Sequence, residues 1–497
     1  MLKTIQSMPK GVASLYFIQA FSTFPFAILY SSLPLYITKQ LGIANASSNS
    51  IVGLFLAFNY IFQFAGGLIG GRFLSNRLMF FITLIIQSMG LICLSLCQSS
   101  LLYLGLSFFL VGGGLNTTCY NNMLTQRFHP NDDRREIAFI LSYGAMNIGF
   151  CAGYIASGFF DYSNQYQYLF YVSLLTNAII FLLITKYWPH LNDNNTPLIR
   201  VKNQPLLLFK KCMGLSITLL LIPMMYLSFH SAHLSNGVLA TLGIIIFVII
   251  LVIGLKQKSS SDKHKIMAYL ILAVSALLFW MIYLTGPMGV TLFIKNNVNK
   301  NLFGFELATQ WIKNINPLVI ILGAPVMTAL INKLKSQGYK LSISIQFACA
   351  FISLALSFLF LACGVIFSNN QGYTNLIWVI GHIITQGMAE LLIGPIGYAM
   401  IGRIAPLHLQ GVFMGSWMLV SGIAASLSHY LSNAMVQTES INPLITNSDY
   451  LYIFKQLGVW AVLGALFLYF ISGKIRGLID DTDSSENNSN KMATTAI

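Results

Sequence analysis

An all-α membrane protein with 14 transmembrane helices, arranged as six plus two plus six, is the fold class this sequence predicts. Three observations predict it. Hydrophobic residues make up 56% of the 497 positions and charged residues only 8%, where a soluble domain carries about 25% charged residues. Mean hydropathy is +0.70. Apolar runs of span length, about 20 residues each, recur along nearly the whole chain.

The first six runs fall near 13–37, 51–70, 78–98, 101–126, 137–160 and 167–187. Two more lie near 213–229 and 236–255, and six follow near 267–294, 311–332, 342–367, 375–402, 408–434 and 450–473. Helices are expected because an open strand in hydrocarbon leaves backbone groups unpaired, and the runs are too long for barrel strands. The first run follows Lys3 and Lys10 and is too long for a signal-peptide core, so it is read as a span. The expected organisation is a six-helix bundle over 1–190, a linker with two extra spans over 191–265, a second six-helix bundle over 266–476, and a polar, disordered cytoplasmic tail over 477–497.

Lys and Arg set the orientation. Arg72 and Arg77, then Arg127, Arg134 and Arg135, then Lys202, Lys210 and Lys211 share a side with the N-terminus. Lys256, Lys258, Lys263 and Lys265, then Lys333, Lys335 and Lys340, then Arg403, then Lys474 and Arg476 continue the alternation, with Lys295 and Lys300 in one outer loop as the exception. Both termini are therefore expected in the cytoplasm, with the chain crossing the cell membrane many times. The net charge of +14 is explained by topology and by attraction to anionic headgroups, without nucleic acid. The cysteines show no paired spacing with His and read as small packing residues. No nucleophile and base, metal cluster or phosphate loop stands at useful spacing, so no enzyme, metal or cofactor is expected. The Gly112-Gly113-Gly114 run fits close helix packing.

Of the 14 acids, only Glu390 lies deep in a span. An ionised acid at that depth costs at least ~2.5 kcal/mol on insertion scales, so a cavity, counter-charge or substrate is expected to offset it. His382 and Gln386 precede Glu390 by eight and four residues on the same helix, a polar stripe that faces protein or water. His382 is a candidate proton carrier near neutral pH.

Here the residues carry a family resemblance. The stretches "AELLIGPIGYAMIGRIAP" (389–406) and "GVFMGSWMLVSG" (411–422) resemble spans ten and eleven of the proton-coupled oligopeptide transporters, whose twelve core spans exclude the linker pair. "FWMIYLTGPMGVTLFIKNNVNKNLFGFELATQWIKNINPLVIILGAPV" (279–326) is similar to their spans seven and eight. "GGLIGGRFLSNR" from Gly66 and "SYGAMNIG" (142–149) are weaker matches to the loop after span two and to span five. The resemblance implies a major facilitator fold with substrate held near the midplane. It places Glu390 against a peptide amino terminus, and Tyr60, Asn147, Asn316, Trp280, Trp417 and Ser421, with Tyr143 ranked lower, at the substrate.

The departures from the family pattern are coordinated. The span-one ExxER pattern is replaced by Tyr16, Gln19 and Ala20, and the span-four lysine by Thr117. Tyr283 and Leu284 stand where span seven carries an acid, and Gly71 where the loop aspartate would be. Losing acids and bases together avoids stranding a buried charge. Proton coupling is therefore expected to be non-standard, through Glu390 or His382 if present. Lys313 is expected to snorkel to the outer interface. The leading expectation is a secondary transporter of di- and tripeptides or related amine-bearing solutes. The alternatives are a facilitator or exporter of another solute on the same fold, and a non-transporting membrane sensor or scaffold.

Overall fold

The computed structural model describes residues 8–129, 132, 134–194, 196–257, 259–337, 342–404 and 410–494. Lys3, Lys258 and Lys340 of the charge pattern lie outside the described residues. The helices are α1 (Val12–Leu35), α2 (Asn45–Ile69), α3 (Asn76–Ser95), α4 (Ser99–Thr125), α5 (Arg134–Tyr162), α6 (Tyr166–Lys186), α7 (Gln204–His230) and α8 (Ala232–Leu255). They continue with α9 (Ser260–Tyr283), α10 (Thr291–Asn297), α11 (Thr309–Lys313), α12 (Ile315–Ser336), α13 (Ile343–Ile366), α14 (Leu376–Ile404), α15 (Gln410–Met435) and α16 (Pro443–Thr494). Span seven is α9 plus α10, broken by the π turn Gly286–Val290; span eight is α11 plus α12.

Among the described residues 13 helices are long and apolar enough to cross a membrane. The remaining expected span is α15, 26 residues long, whose Ser416, Ser421, Ser426, Ser428, His429 and Ser432 are all buried. A helix enclosed by protein can carry such groups without meeting lipid. The tail expected to be disordered from 477 onward is continuous helix with α16 as far as Thr494, while the apolar part of that helix ends at Leu478. No proline interrupts it.

The chain divides into two compact units. The first covers Met1–Asn236, Pro287–Lys295 and Lys300–Leu318; the second covers Gly237–Gly286, Asn296–Asn299 and Val319–Ile497. The chain thus leaves the second unit between Gly286 and Pro287, inside the π turn, and re-enters it for good just after Asn316 and Pro317.

Within the first unit, α1 packs on α5 and α6, and α3 on α4 and α6. Within the second, α9 packs on α15 and α16, and α13 on α14 and α16. The same pairing order, first span with fifth and sixth, third with fourth and sixth, is an internal repeat read directly from the packing. Small residues allow the closest approaches. A Cβ on Gly112 would lie 2.6 Å from the Gln87 Cβ, and one on Gly114 2.6 Å from the Phe62 Cβ, so the triple glycine brings α4 against both α3 and α2. The linker helix α7 packs on α4, and the buried Asn236 of α8 donates to the Ser50 carbonyl at 3.1 Å.

The outer ends of spans seven and eight are tied into the first unit. The Trp311 indole N–H donates to the Ile155 carbonyl at 3.0 Å, and Phe305 stacks on both Trp311 (5.9 Å) and Tyr162 (6.1 Å). Lys295 donates to Thr38 Oγ1 at 3.2 Å. Short strands finish these loops: β1 (Val298–Asn299) pairs with β4 (Thr374–Asn375) in the second unit, and β2 (Asn301–Leu302) with β3 (Phe305–Glu306) in the first.

Candidate functional site

Glu390 occupies the centre of α14 and is half-buried. Its Oε2 accepts a hydrogen bond from the Tyr283 hydroxyl. Tyr283 is the last residue of α9, where backbone carbonyls run out of intrahelical donors. Gln386, one turn before Glu390, donates to that carbonyl at 3.2 Å. One tyrosine therefore meets α14 twice, at its backbone oxygen and at its hydroxyl. Its ring is held between Phe279, stacked at 6.1 Å, and Trp280, edge-on at 5.3 Å. The Trp280 Nε1 is buried and has no hydrogen-bond partner.

The polar stripe expected along α14 is divided between two neighbours. Gln386 and Glu390 bind Tyr283, whereas His382 is buried and its Nδ1 lies 3.0 Å from Ser357 Oγ and 3.1 Å from the Ser357 carbonyl on α13. The 3.6-residue repeat rotates His382 away from Glu390's partner over two turns.

Trp417 is buried on α15, its indole packed directly on Gly397 of α14, where any Cβ would overlap it. Tyr269 and Phe347 approach its ring at 6.5 Å. Ser421 is buried one turn further along α15. These residues, with Trp280, His382 and Glu390, belong to the second unit; Tyr60, Tyr143, Asn147 and Asn316 belong to the first. There, Asn147 is buried on α5 and donates to the Tyr143 carbonyl at 2.9 Å, while the Tyr143 side chain is exposed. Tyr60 on α2 and Asn316 in the first turn of α12 are half-buried.

Positions lacking the family's charges hold neutral groups. The Tyr16 hydroxyl is buried without a partner, and Thr117 back-bonds to the Gly113 carbonyl at 3.5 Å. Lys313 corrects the sequence expectation: it does not snorkel but is buried, with Nζ 2.7 Å from Thr291 Oγ1 and 5.9 Å from the Tyr30 ring. The short helix α11 directs it toward span seven and span one. Among the described residues no group of His, Cys, Asp and Glu side chains is arranged to hold a metal ion.

Two residues escaped sequence reasoning. Tyr283 was visible only as the replacement of an acid; its signal was an aromatic hydroxyl one turn after Trp280, just before the helix-breaking "TGPMG". Asp193, in the loop after α6, accepts from the Asn76 backbone N–H at 3.0 Å and from Asn76 Nδ2 at 3.1 Å, a cap on α3 supplied from a distant segment.

Two sets of helices with one packing order, and Glu390 at mid-span, make a multi-pass membrane protein. Comparison with known proteins gives the family. Residues 76–448 match the model described as the POT family, PTR2, and the chain belongs to that family. It is similar to the dipeptide and tripeptide permease A of Salmonella typhimurium, 25% identical over 495 residues, covering 98% of this chain and 96% of the relative. The permease of the same name from Chromobacterium violaceum is 28% identical over 466 residues, covering 91% and 90%. The fold matches the crystal structure of a peptide transporter POT in complex with sulfate, with TM-score 0.83 at 20% identity over 95% of this chain and 96% of that one. A POT family transporter in complex with 5-aminolevulinic acid matches with TM-score 0.80 at 21% identity, covering 95% and 99%. These bacterial relatives and the apolar helices make the chain a multi-pass inner membrane protein.

Proposed function

We propose that this protein is a secondary transporter of di- and tripeptides or related amine-bearing small solutes, working by alternating access. The observation that carries this reading is Glu390, an acid at mid-span whose carboxylate accepts from a neutral tyrosine hydroxyl. The tyrosine contributes a hydrogen bond and no charge of its own, and a carboxylate at mid-span is the side chain suited to receive a cation. A substrate ammonium in a low-dielectric cavity is attracted to it more strongly than in water. Tyr60, Asn147 and Asn316 in the first unit and Trp280, Trp417 and Ser421 in the second are assigned to the substrate, with Tyr143 beside Asn147. The names of the curated relatives, dipeptide and tripeptide permeases, support the substrate class.

Proton coupling, where present, is assigned to Glu390. The partners of His382 are a serine hydroxyl and a carbonyl on α13, an arrangement that serves helix packing. Uptake of labelled di- and tripeptides by proteoliposomes, against amino acids and cationic drugs, tests the proposal. Peptide uptake supports it; uptake of another solute alone would move the assignment to a different cargo on the same fold.

A further inference from the structure

We propose that Tyr283 sets the specificity of this site for an α-amino acyl group, an ammonium with a carbonyl beside it, by positioning Glu390 while Trp280 offers a donor to the carbonyl. This rests on the reading of Glu390 as the amine-binding group.

Tyr283 is fixed along its whole length. It is buried, its ring is held by Phe279 and Trp280, its carbonyl is bound by Gln386, and its hydroxyl reaches Glu390 Oε2. A glutamate side chain has several rotatable bonds, and holding it in one rotamer before substrate arrives removes an ordering cost from binding. The rigid phenol does this from a different helix, so the carboxylate direction is set by α9 as well as by α14. Packing alone would be served by phenylalanine; the hydroxyl is what reaches the acid.

The wall beside this pair carries the second half of the specificity. The Trp280 indole N–H is buried and has no acceptor, and its ring adjoins the Tyr283 ring. A buried donor left unpaired is costly. A ligand oxygen supplies the acceptor. In a peptide, the first carbonyl is two bonds from the carbon-bound ammonium, so one α-amino acyl end presents the cation for Glu390 and the oxygen for Trp280 together. A simple alkylamine presents only the first.

The test compares wild type with Tyr283→Phe, Trp280→Phe and Glu390→Gln in proteoliposomes. The probes are Ala-Ala, N-acetyl-Ala-Ala and propylamine, each used to compete for binding and uptake of a labelled dipeptide. Tyr283→Phe is expected to weaken Ala-Ala about tenfold through KM, with the maximal rate held within about twofold and the weak N-acetyl-Ala-Ala affinity unchanged. Tyr283→Gln, which restores a donor, is expected to recover part of that loss. Trp280→Phe is expected to weaken Ala-Ala while leaving propylamine unchanged. Equal effects of Tyr283→Phe on free and acetylated peptide, or none on either, would overturn the positioning role. If Glu390→Gln treats free and acetylated peptide as wild type does, or wild type binds neither peptide, the amine reading beneath it fails as well.

Discussion

The Lys313 Nζ lies 2.7 Å from Thr291 Oγ1, buried within the first unit. Among the described residues no salt bridge includes it. A buried amine without an ionic partner is a liability to folding. Lys313→Met, which keeps length and removes the amine, is therefore expected to stabilise the protein by ~1–3 kcal/mol in thermal or denaturant unfolding. A loss of more than about 1 kcal/mol, on that same scale, would show that the amine contributes to the fold.

Gly158 faces Trp311. Any Cβ at this position would overlap the indole that binds the Ile155 carbonyl. Gly158→Ala is expected to cost ~1–3 kcal/mol by overpacking. In a Trp311→Ala background the same change is expected to cost far less, a coupling that a double-mutant cycle reads directly. Additive effects would place the strain elsewhere.

His382 is expected to be silent in transport. Its Nδ1 partners, Ser357 Oγ and O, both lie on α13, so His382→Gln should leave the pH profile of peptide uptake between pH 5 and 8 unchanged. Any uphill uptake under an imposed proton gradient should likewise survive it. A displaced acid limb in this variant would return His382 to the coupling mechanism.

How far the molecule was legible in the sequence depends on the kind of signal. Spans were legible because hydrocarbon demands long apolar helices, and the run near 342–367 is α13, Ile343–Ile366, almost residue for residue. The break in span seven was not legible: the run near 267–294 is continuously apolar, and proline also occurs inside unbroken helices such as α1. Glu390 stood out because a mid-span acid is rare. What sequence did not carry was rotation and reach. His382 shares a periodic stripe with Glu390 yet turns to α13, Lys313 looked able to snorkel yet is directed inward, and Asp193 reaches α3 from 117 residues away. Tyr283 reaches Glu390 across 107 residues, and no local pattern encodes such a pairing.

The central claim is that Glu390 receives the amino terminus of a peptide, and uptake of labelled Ala-Ala by proteoliposomes bearing wild type or Glu390→Gln tests it most directly. Removing the charge should cost ~1.5–3 kcal/mol, the range for a hydrogen bond to a charged group, or roughly tenfold to a hundredfold in kcat/KM. Competition by N-acetyl-Ala-Ala should stay as weak as in wild type, because that molecule has no ammonium to lose. Parallel losses for the free and the acetylated peptide would contradict the account and assign Glu390 to the structure of the bundle.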